Sequence, residues 1–107
     1  MAALSIQERK RLRQIGHALN PVVMVGGQGL TENVIEETNR ALNDHELIKV
    51  KIGGEDREIR AAVITEIAAA TGSEVVQTIG KIALLYKKAA KQNAKLSNLV
   101  RHAHLSN

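Results

Sequence analysis

Val22-Val-Met-Val-Gly-Gly-Gln-Gly-Leu-Thr31 decides the fold, because it joins a strand, a glycine turn and a helix start in one short stretch. Val22 to Val25 is wholly apolar, the pattern of a strand buried on both faces. Gly26-Gly-Gln-Gly29 then supplies a connection free to adopt positive φ and to bring backbone close to a ligand. Thr31 is a good N-cap, and Leu30 can close a hydrophobic staple onto Ile35. Val34, Ile35, Thr38, Ala41 and Leu42 form the buried stripe of the helix that follows, with Glu36 and Arg40 outside, and the helix should end near Asn43–His45.

Upstream, Ser5 to Leu19 has helical spacing. Ser5-Ile-Gln-Glu8 has the form of a capping box, in which two unsatisfied backbone donors are met reciprocally. Leu12, Ile15 and Leu19 share one stripe, while Arg9, Lys10, Arg13 and His17 fall on the opposite face. Asn20-Pro21 stops this helix, since the residue before proline avoids helical geometry. Downstream, Leu47-Ile-Lys-Val-Lys-Ile52 alternates: Ile48, Val50 and Ile52 point one way, Leu47, Lys49 and Lys51 the other. One face of the sheet is therefore expected to be open to solvent at this strand. A third helix begins at Glu55 or Asp56, with Ile59, Val63, Ile67 and Ala70 inward, and closes at Thr71-Gly72. Glu74–Ile79 and Ile82–Lys87 are two strands separated by Gly80-Lys81, a link that suits a type II′ hairpin turn. The element order is α-β-α-β-α-β-β: one sheet of the α/β class with helices packed on it, right-handed parallel crossovers first and an antiparallel strand last. Residues 89–107 are polar, basic and rich in Ala, Asn and Ser, and are expected to be a frayed helix or a disordered tail.

The chain has 107 residues, one domain's worth, with 44% hydrophobic and 24% charged residues. Cysteine is absent, so disulfides and thiolate metal sites are impossible and a reducing cytoplasm is the expected setting. No apolar run approaches the roughly 18 residues that a membrane helix needs, and the first residues lack the apolar core of a signal peptide. Tyr86 is the sole aromatic residue, which argues against a platform of stacked rings. Net charge is +4, and it is segregated. Every acid lies at or before Glu74, whereas Lys87, Lys88, Lys91, Lys95 and Arg101 follow with no acid among them. Glu32, Glu36, Glu37, Asp44 and Glu46 make the second helix region negative. Such a polar molecule fits a polyanionic partner, and equally a solvated surface with a solubilising tail.

No catalytic arrangement emerges. His17, His45, His102 and His104 include no pair spaced for a metal, and no Ser or Thr sits in a recognisable relation to His and carboxylate. Glu36-Glu37 and Glu55-Asp56 read as solvated surface, the second pair also favouring a helix N-terminus. Gly26–Gly29 has neither the Walker lysine nor the dinucleotide-binding spacing. Its position before a helix start suits contact with a phosphate through free N–H groups, or a tight turn that needs glycine for geometry alone. Glu32 adds negative charge nearby, which cations would have to outweigh.

Val22–Thr31, His45-Glu-Leu-Ile-Lys-Val-Lys51, Thr71-Gly72, Ile79-Gly80 and Leu85-Tyr86 together resemble the CRM (chloroplast RNA splicing and ribosome maturation) domain, in its single-domain bacterial YhbY-type form. The resemblance covers about residues 4–88, and implies a CRM-type domain over residues 1–88 with 89–107 outside it. It implies a fold similar to the C-terminal domain of translation initiation factor 3: two-layer α+β, a mixed four-stranded sheet of order 1-2-4-3, strand 4 antiparallel. It further implies a non-enzymatic, cofactor-free, monomeric protein that binds RNA of large-ribosomal-subunit precursors and assists their maturation. The family's GxxG loop maps onto Gly26, Gly27, Gln28 and Gly29. Tyr86 matches the family's tyrosine, while Lys87 stands where many members have arginine, keeping the cation and losing the planar fork. The expected RNA surface is that loop flanked by Arg9, Lys10 and Arg13, with Lys49 and Lys51 on the open sheet face and Lys87 beyond. The alternatives are a general nucleic-acid compactor of the Alba type and a protein-interaction module.

Overall fold

The computed structural model describes residues 4–105, and the caps read from the sequence set its first elements. Helix α1 (Ile6–Gly16) starts at a complete capping box: Glu8 N–H donates to Ser5 Oγ at 3.1 Å, and Ser5 N–H to the Glu8 carboxylate at 3.0 Å. It ends before the expected Leu19. Ala18 and Leu19 donate to the carbonyls of Ile15 and Gly16 at 3.0 Å, a tightened last turn that swings the chain into strand β1 (Pro21–Val25). Helix α2 (Glu32–His45) is capped by Thr31, whose hydroxyl accepts from Val34 N–H at 3.2 Å. Strand β2 (Leu47–Ile52) follows, then helix α3 (Arg57–Thr71), N-capped by Asp56 and closed by Gly72 at φ 69°. Strands β3 (Glu74–Ile79) and β4 (Ile82–Tyr86) form the hairpin. Positive φ falls on Gly80 and not on Lys81, as a type II′ turn requires.

The sheet order is β1-β2-β4-β3. β1 and β2 run parallel, and β4 is antiparallel to both β2 and β3. This is the mixed sheet that the resemblance implied. Its two faces are covered unequally. On one, Val23, Val25, Ile48, Val50, Ile52, Ala83 and Leu85 meet Leu42 of α2 with Ile64 and Ile67 of α3 in a continuous core. On the other, α1 brings Leu12 and Ile15 onto Leu47, Leu84 and Val76, with Tyr86 packed at the margin. One helix cannot cover a four-stranded face, so the half carrying Lys49, Lys51, Met24 and Ile79 is left uncovered.

Three further expectations are corrected. β1 is not buried on both faces: Val23 and Val25 are core, but Val22 is 50% and Met24 67% exposed, because β1 is an edge strand beyond the reach of α1. The inward stripe of α3 is Ile64, Ile67 and Thr71 with Val63 alongside; Ile59 is 63% exposed and Ala70 is exposed. At 100° per residue Ile64, Ile67 and Thr71 share the stripe that meets the sheet core, and Ile59 falls off its edge. Residues 89–105 are not a loose tail. They fold back over the body as a strap containing the short helix α4 (Asn98–Arg101) and a 3-10 turn (Ala103–Leu105). Residues 1–3 and 106–107 lie outside the described residues.

The corrected α3 stripe has a direct test. Ile64→Ala is expected to lower unfolding free energy by about 2–4 kcal/mol, and Ile59→Ala by less than about 0.5 kcal/mol. Denaturant titration of both variants checks this, and comparable losses would contradict the assignment.

Candidate nucleic-acid interface

The glycine loop is fixed at its base and open at its tip. Gly53 N–H donates to the Val25 carbonyl at 2.7 Å, clamping the end of β1 to the end of β2. A Cβ on Gly53 would lie 3.1 Å from that same carbonyl oxygen, so the close approach depends on glycine there. Beyond the clamp, Gly29 N–H donates to the Gly26 carbonyl at 3.1 Å, closing a turn with Gly29 at φ 82°. Gly26, Gly27 and Gln28 are exposed, and a Cβ on Gly26 or Gly27 would meet open space.

The surroundings of the loop differ on its two sides. Toward α3 lies a cleft of about 180 Å³ whose lining includes Gly53, Gly54, Glu55 and Asp56. Asp56 accepts from Glu58 and Ile59 N–H, and Glu55 pairs with Lys81 at 3.5 Å. This side is acidic. Toward the open sheet face, Met24 stands beside Lys51 in the β1–β2 register, and Lys49 beside Leu84 across β2–β4. Lys51 is exposed and Lys49 half-buried, near a shallow cleft of about 130 Å³ lined by Lys49, Gln77, Ile79, Ile82 and Leu84. Among the described residues no acid stands on this uncovered half. Glu74 lies at the far end, under α1, where Arg9 pairs with it at 3.4 Å and donates to the Val75 carbonyl at 3.1 Å.

The sequence-derived residues therefore separate into groups. Gly26, Gly27, Gln28 and Gly29 adjoin Lys51 and Lys49 on the sheet side. Arg9 does not flank the loop. It sits at the opposite end of the sheet, where β3 begins, and its guanidinium is committed to Glu74 and Val75. Arg13 lies on the same α1 stripe between Arg9 and Gly16, which rests on Leu84, so it borders the uncovered half of the sheet. Lys10 is exposed on the outer side of α1. Lys87 donates to the Thr71 carbonyl at 2.9 Å and ties the end of α3 to the start of the strap. Tyr86 packs against the α1-side core, where burial, then Glu46 and Glu8, push its hydroxyl up against the opposing pull of Arg11. Its ring serves packing. Among the described residues no group of three or more His, Asp or Glu could hold a metal ion, and no helix is long and apolar enough to cross a membrane.

Sequence reasoning missed Glu46. It is 2% exposed and sits at φ 63°, a position at a helix end that glycine or asparagine would usually take. Its carboxylate accepts from Gln92 Nε2 at 2.6 Å, Ser97 Oγ at 2.7 Å and Ala89 N–H at 2.9 Å. Around it, Asn98 donates to the Leu47 carbonyl at 2.7 Å, and His45 Nδ1 lies 2.8 Å from the Leu96 carbonyl, which fixes the proton on Nδ1. Glu46 is the clasp of the strap. Burial pushes its carboxyl up, but the bonds from Gln92, Ala89 and Ser97, aided by Lys88, outweigh burial and hold it below the ordinary carboxylate value.

A carboxyl lowered by folding stabilises the folded state above its ordinary pKa, and that contribution is lost as pH falls through the lowered value. The strap is thus expected to loosen in acid below the ordinary carboxylate range. Glu46→Gln sets an amide N–H against donors and is expected to cost at least about 2 kcal/mol. Amide exchange at Ala89, whose N–H donates to Glu46, and at Ser97 reads both effects; protection unchanged in acid or in the variant would contradict the clasp.

The chain is similar to known proteins in both sequence and fold. The sequence model of the CRS1/YhbY (CRM) domain matches residues 4–87. A protein of Pseudomonas aeruginosa named as a probable RNA-binding protein is 50% identical over 101 residues, covering 94% of this chain and 97% of its own. An RNA-binding protein of Haemophilus influenzae is 47% identical over 96 residues, covering 90% and 97%. The solution structure of a Staphylococcus aureus protein, described as a candidate RNA-binding protein, superposes with a TM-score of 0.74 at 28% identity, covering 89% of this chain and 98% of that one.

Proposed function

The chain belongs to the CRS1/YhbY (CRM) domain family, and on that premise we propose that it is an RNA-binding protein, without catalytic activity, that assists maturation of the large ribosomal subunit in the cytoplasm. The observation that carries the reading is the uncovered half of the sheet: lysines set among apolar side chains, without acid, running into an exposed glycine loop. The names of the relatives from Pseudomonas aeruginosa and Haemophilus influenzae support RNA as the polyanion.

The acidic lining of the α3-side cleft gives the interface a direction. A phosphate approaching from that side meets Glu55 and Asp56, whereas one approaching over the sheet meets Lys51 and Lys49 first. RNA is therefore laid along the sheet face, with the loop's backbone N–H groups and Gln28 contacting sugar and phosphate at its end. Met24, Ile79 and Gln77 give bases an apolar and amide surface instead of aromatic rings. Arg13 borders this path, with Lys10 on the outer helix surface. Arg9 and Lys87 act through the fold, since each already holds another element in place. Recognition is then by shape and backbone more than by base identity.

With about five phosphates neutralised, log K for a single strand is expected to fall with log salt at a slope near −3.5. Lys49→Glu/Lys51→Glu should weaken binding at least about tenfold and flatten that slope. Gly27→Asp/Gln28→Asp should also weaken binding at least about tenfold, since two anions then face the phosphates. Anisotropy titrations with single-stranded RNA check each variant; folded variants with unchanged affinity would remove the sheet face or the loop from the interface. Crosslinking in cells tests the cargo: enrichment of immature large-subunit rRNA is expected, and indiscriminate RNA recovery would contradict the maturation role.

A further inference from the structure

The strap held by Glu46 builds half of a cavity that lies apart from the sheet-face interface. The cavity encloses about 260 Å³ between the α1–β1 connection and the strap. Its walls include Asn20 and Val22 from the first, Asn98, Arg101 and His102 from the second, and His45 from the end of α2. Among the described residues no acid lines it. We propose that this cavity is a phosphate-ester site that takes one nucleotide of a bound RNA strand.

The chemistry of the walls favours that ligand. Arg101 is exposed, and its planar fork matches phosphate oxygens in a bidentate manner. His102 adds a second imidazole-bearing wall beside it, while His45 holds the Leu96 carbonyl through Nδ1. Asn98 spends its amide nitrogen on the Leu47 carbonyl, which leaves its oxygen as an acceptor for a base or ribose donor. Asn20 offers a second amide, and Val22, half-exposed, an apolar surface for a sugar or base. At about 260 Å³ the cavity has room for one phosphate-ester unit and not for a longer stretch of chain.

Placement supports the same ligand. Val22 and Met24 lie on the same outward face of β1, so the cavity and the glycine loop stand at the two ends of one strand face, roughly 13 Å apart. A strand of RNA running along β1 from the loop reaches Arg101. The strap has to be seated for the cavity to exist, and the buried Glu46 carboxylate with its three hydrogen bonds does the seating. Glu46 is thus a positioning residue for Arg101 and His102.

This inference rests on the RNA reading, and its test separates the two. The full chain is titrated with a labelled single-stranded RNA at several salt concentrations, and its amide spectrum is followed with uridine monophosphate and with inorganic phosphate. Arg101→Ala/His102→Ala is expected to weaken RNA binding about three- to tenfold and to flatten the salt slope by about 0.7 for each phosphate no longer neutralised. Glu46→Gln, with Arg101 and His102 intact but unseated, should reproduce that loss. Wild-type protein that binds RNA while both variants keep its affinity and slope overturns the cavity and leaves the sheet face standing. Wild-type protein that binds no RNA overturns the RNA reading. In that event, amide shifts around Arg101 with uridine monophosphate, competed by phosphate, identify a free nucleotide as the ligand. Absence of shifts with either small molecule, together with no RNA effect, removes the site.

Discussion

The structure depends on the unequal covering of one sheet, and β2 records it in a single strand. Ile48, Val50 and Ile52 are all buried beneath α2 and α3. On the other face, Leu47 is buried, Lys49 half-buried and Lys51 exposed, so burial fades along the strand as α1 ends. Two helices seal one face, and α1 with Leu99 of the strap beside it seals half of the other. A core without phenylalanine or tryptophan is dense enough because Val, Ile and Leu from the strands interdigitate with the helix stripes. What remains uncovered is a patch of backbone-supported side chains, held rigid by the core on its reverse.

Charge then gives this patch a direction. The acids gather on α2, at the start of α3 and around the cleft behind the glycine loop. The uncovered sheet carries lysines, and the strap carries Lys88, Lys91, Lys95 and Arg101 with no acid after Glu74. The glycine loop stands on the boundary between the two fields. Its glycines expose backbone on either side, but on the α3 side Lys81 and Arg60 are engaged by Glu55 and the Gly54 carbonyl, whereas on the sheet side Lys49 and Lys51 face no acid. Salt acts on exposed charges of this kind much more than on the buried Glu46 clasp.

Much of this was legible in the sequence because it is written locally. The capping box at Ser5, the Thr31 cap, the alternation of β2 and the Gly80-Lys81 turn each specify their own geometry, and the CRM resemblance supplied the strand order. The errors share a cause. Val22-Val-Met-Val25 looks doubly buried because nothing in the run says that its strand is at the edge. Ile59 and Ile64 have near-equal claims to the inward stripe until the sheet beneath α3 takes up Ile64 and Ile67. Arg9 and Lys87 look like free cations, since their partners, Glu74 and the Thr71 carbonyl, are remote in sequence. The strap was opaque for the same reason: its order comes from Glu46, an ordinary-looking acid between a helix and a strand. A glutamate at a helix end just where glycine is usual was the available signal.

The central claim is that RNA lies on the uncovered sheet face and meets the glycine loop from that side. Amide chemical-shift mapping with single-stranded RNA tests it most directly. Shifts are expected at Met24, Gly26, Gly27, Gln28, Lys49, Lys51 and Gln77, with the outer surfaces of α2 and α3 silent. Shifts concentrated on Glu55, Asp56 and the outer face of α3, with Lys49 and Lys51 unmoved, would contradict it.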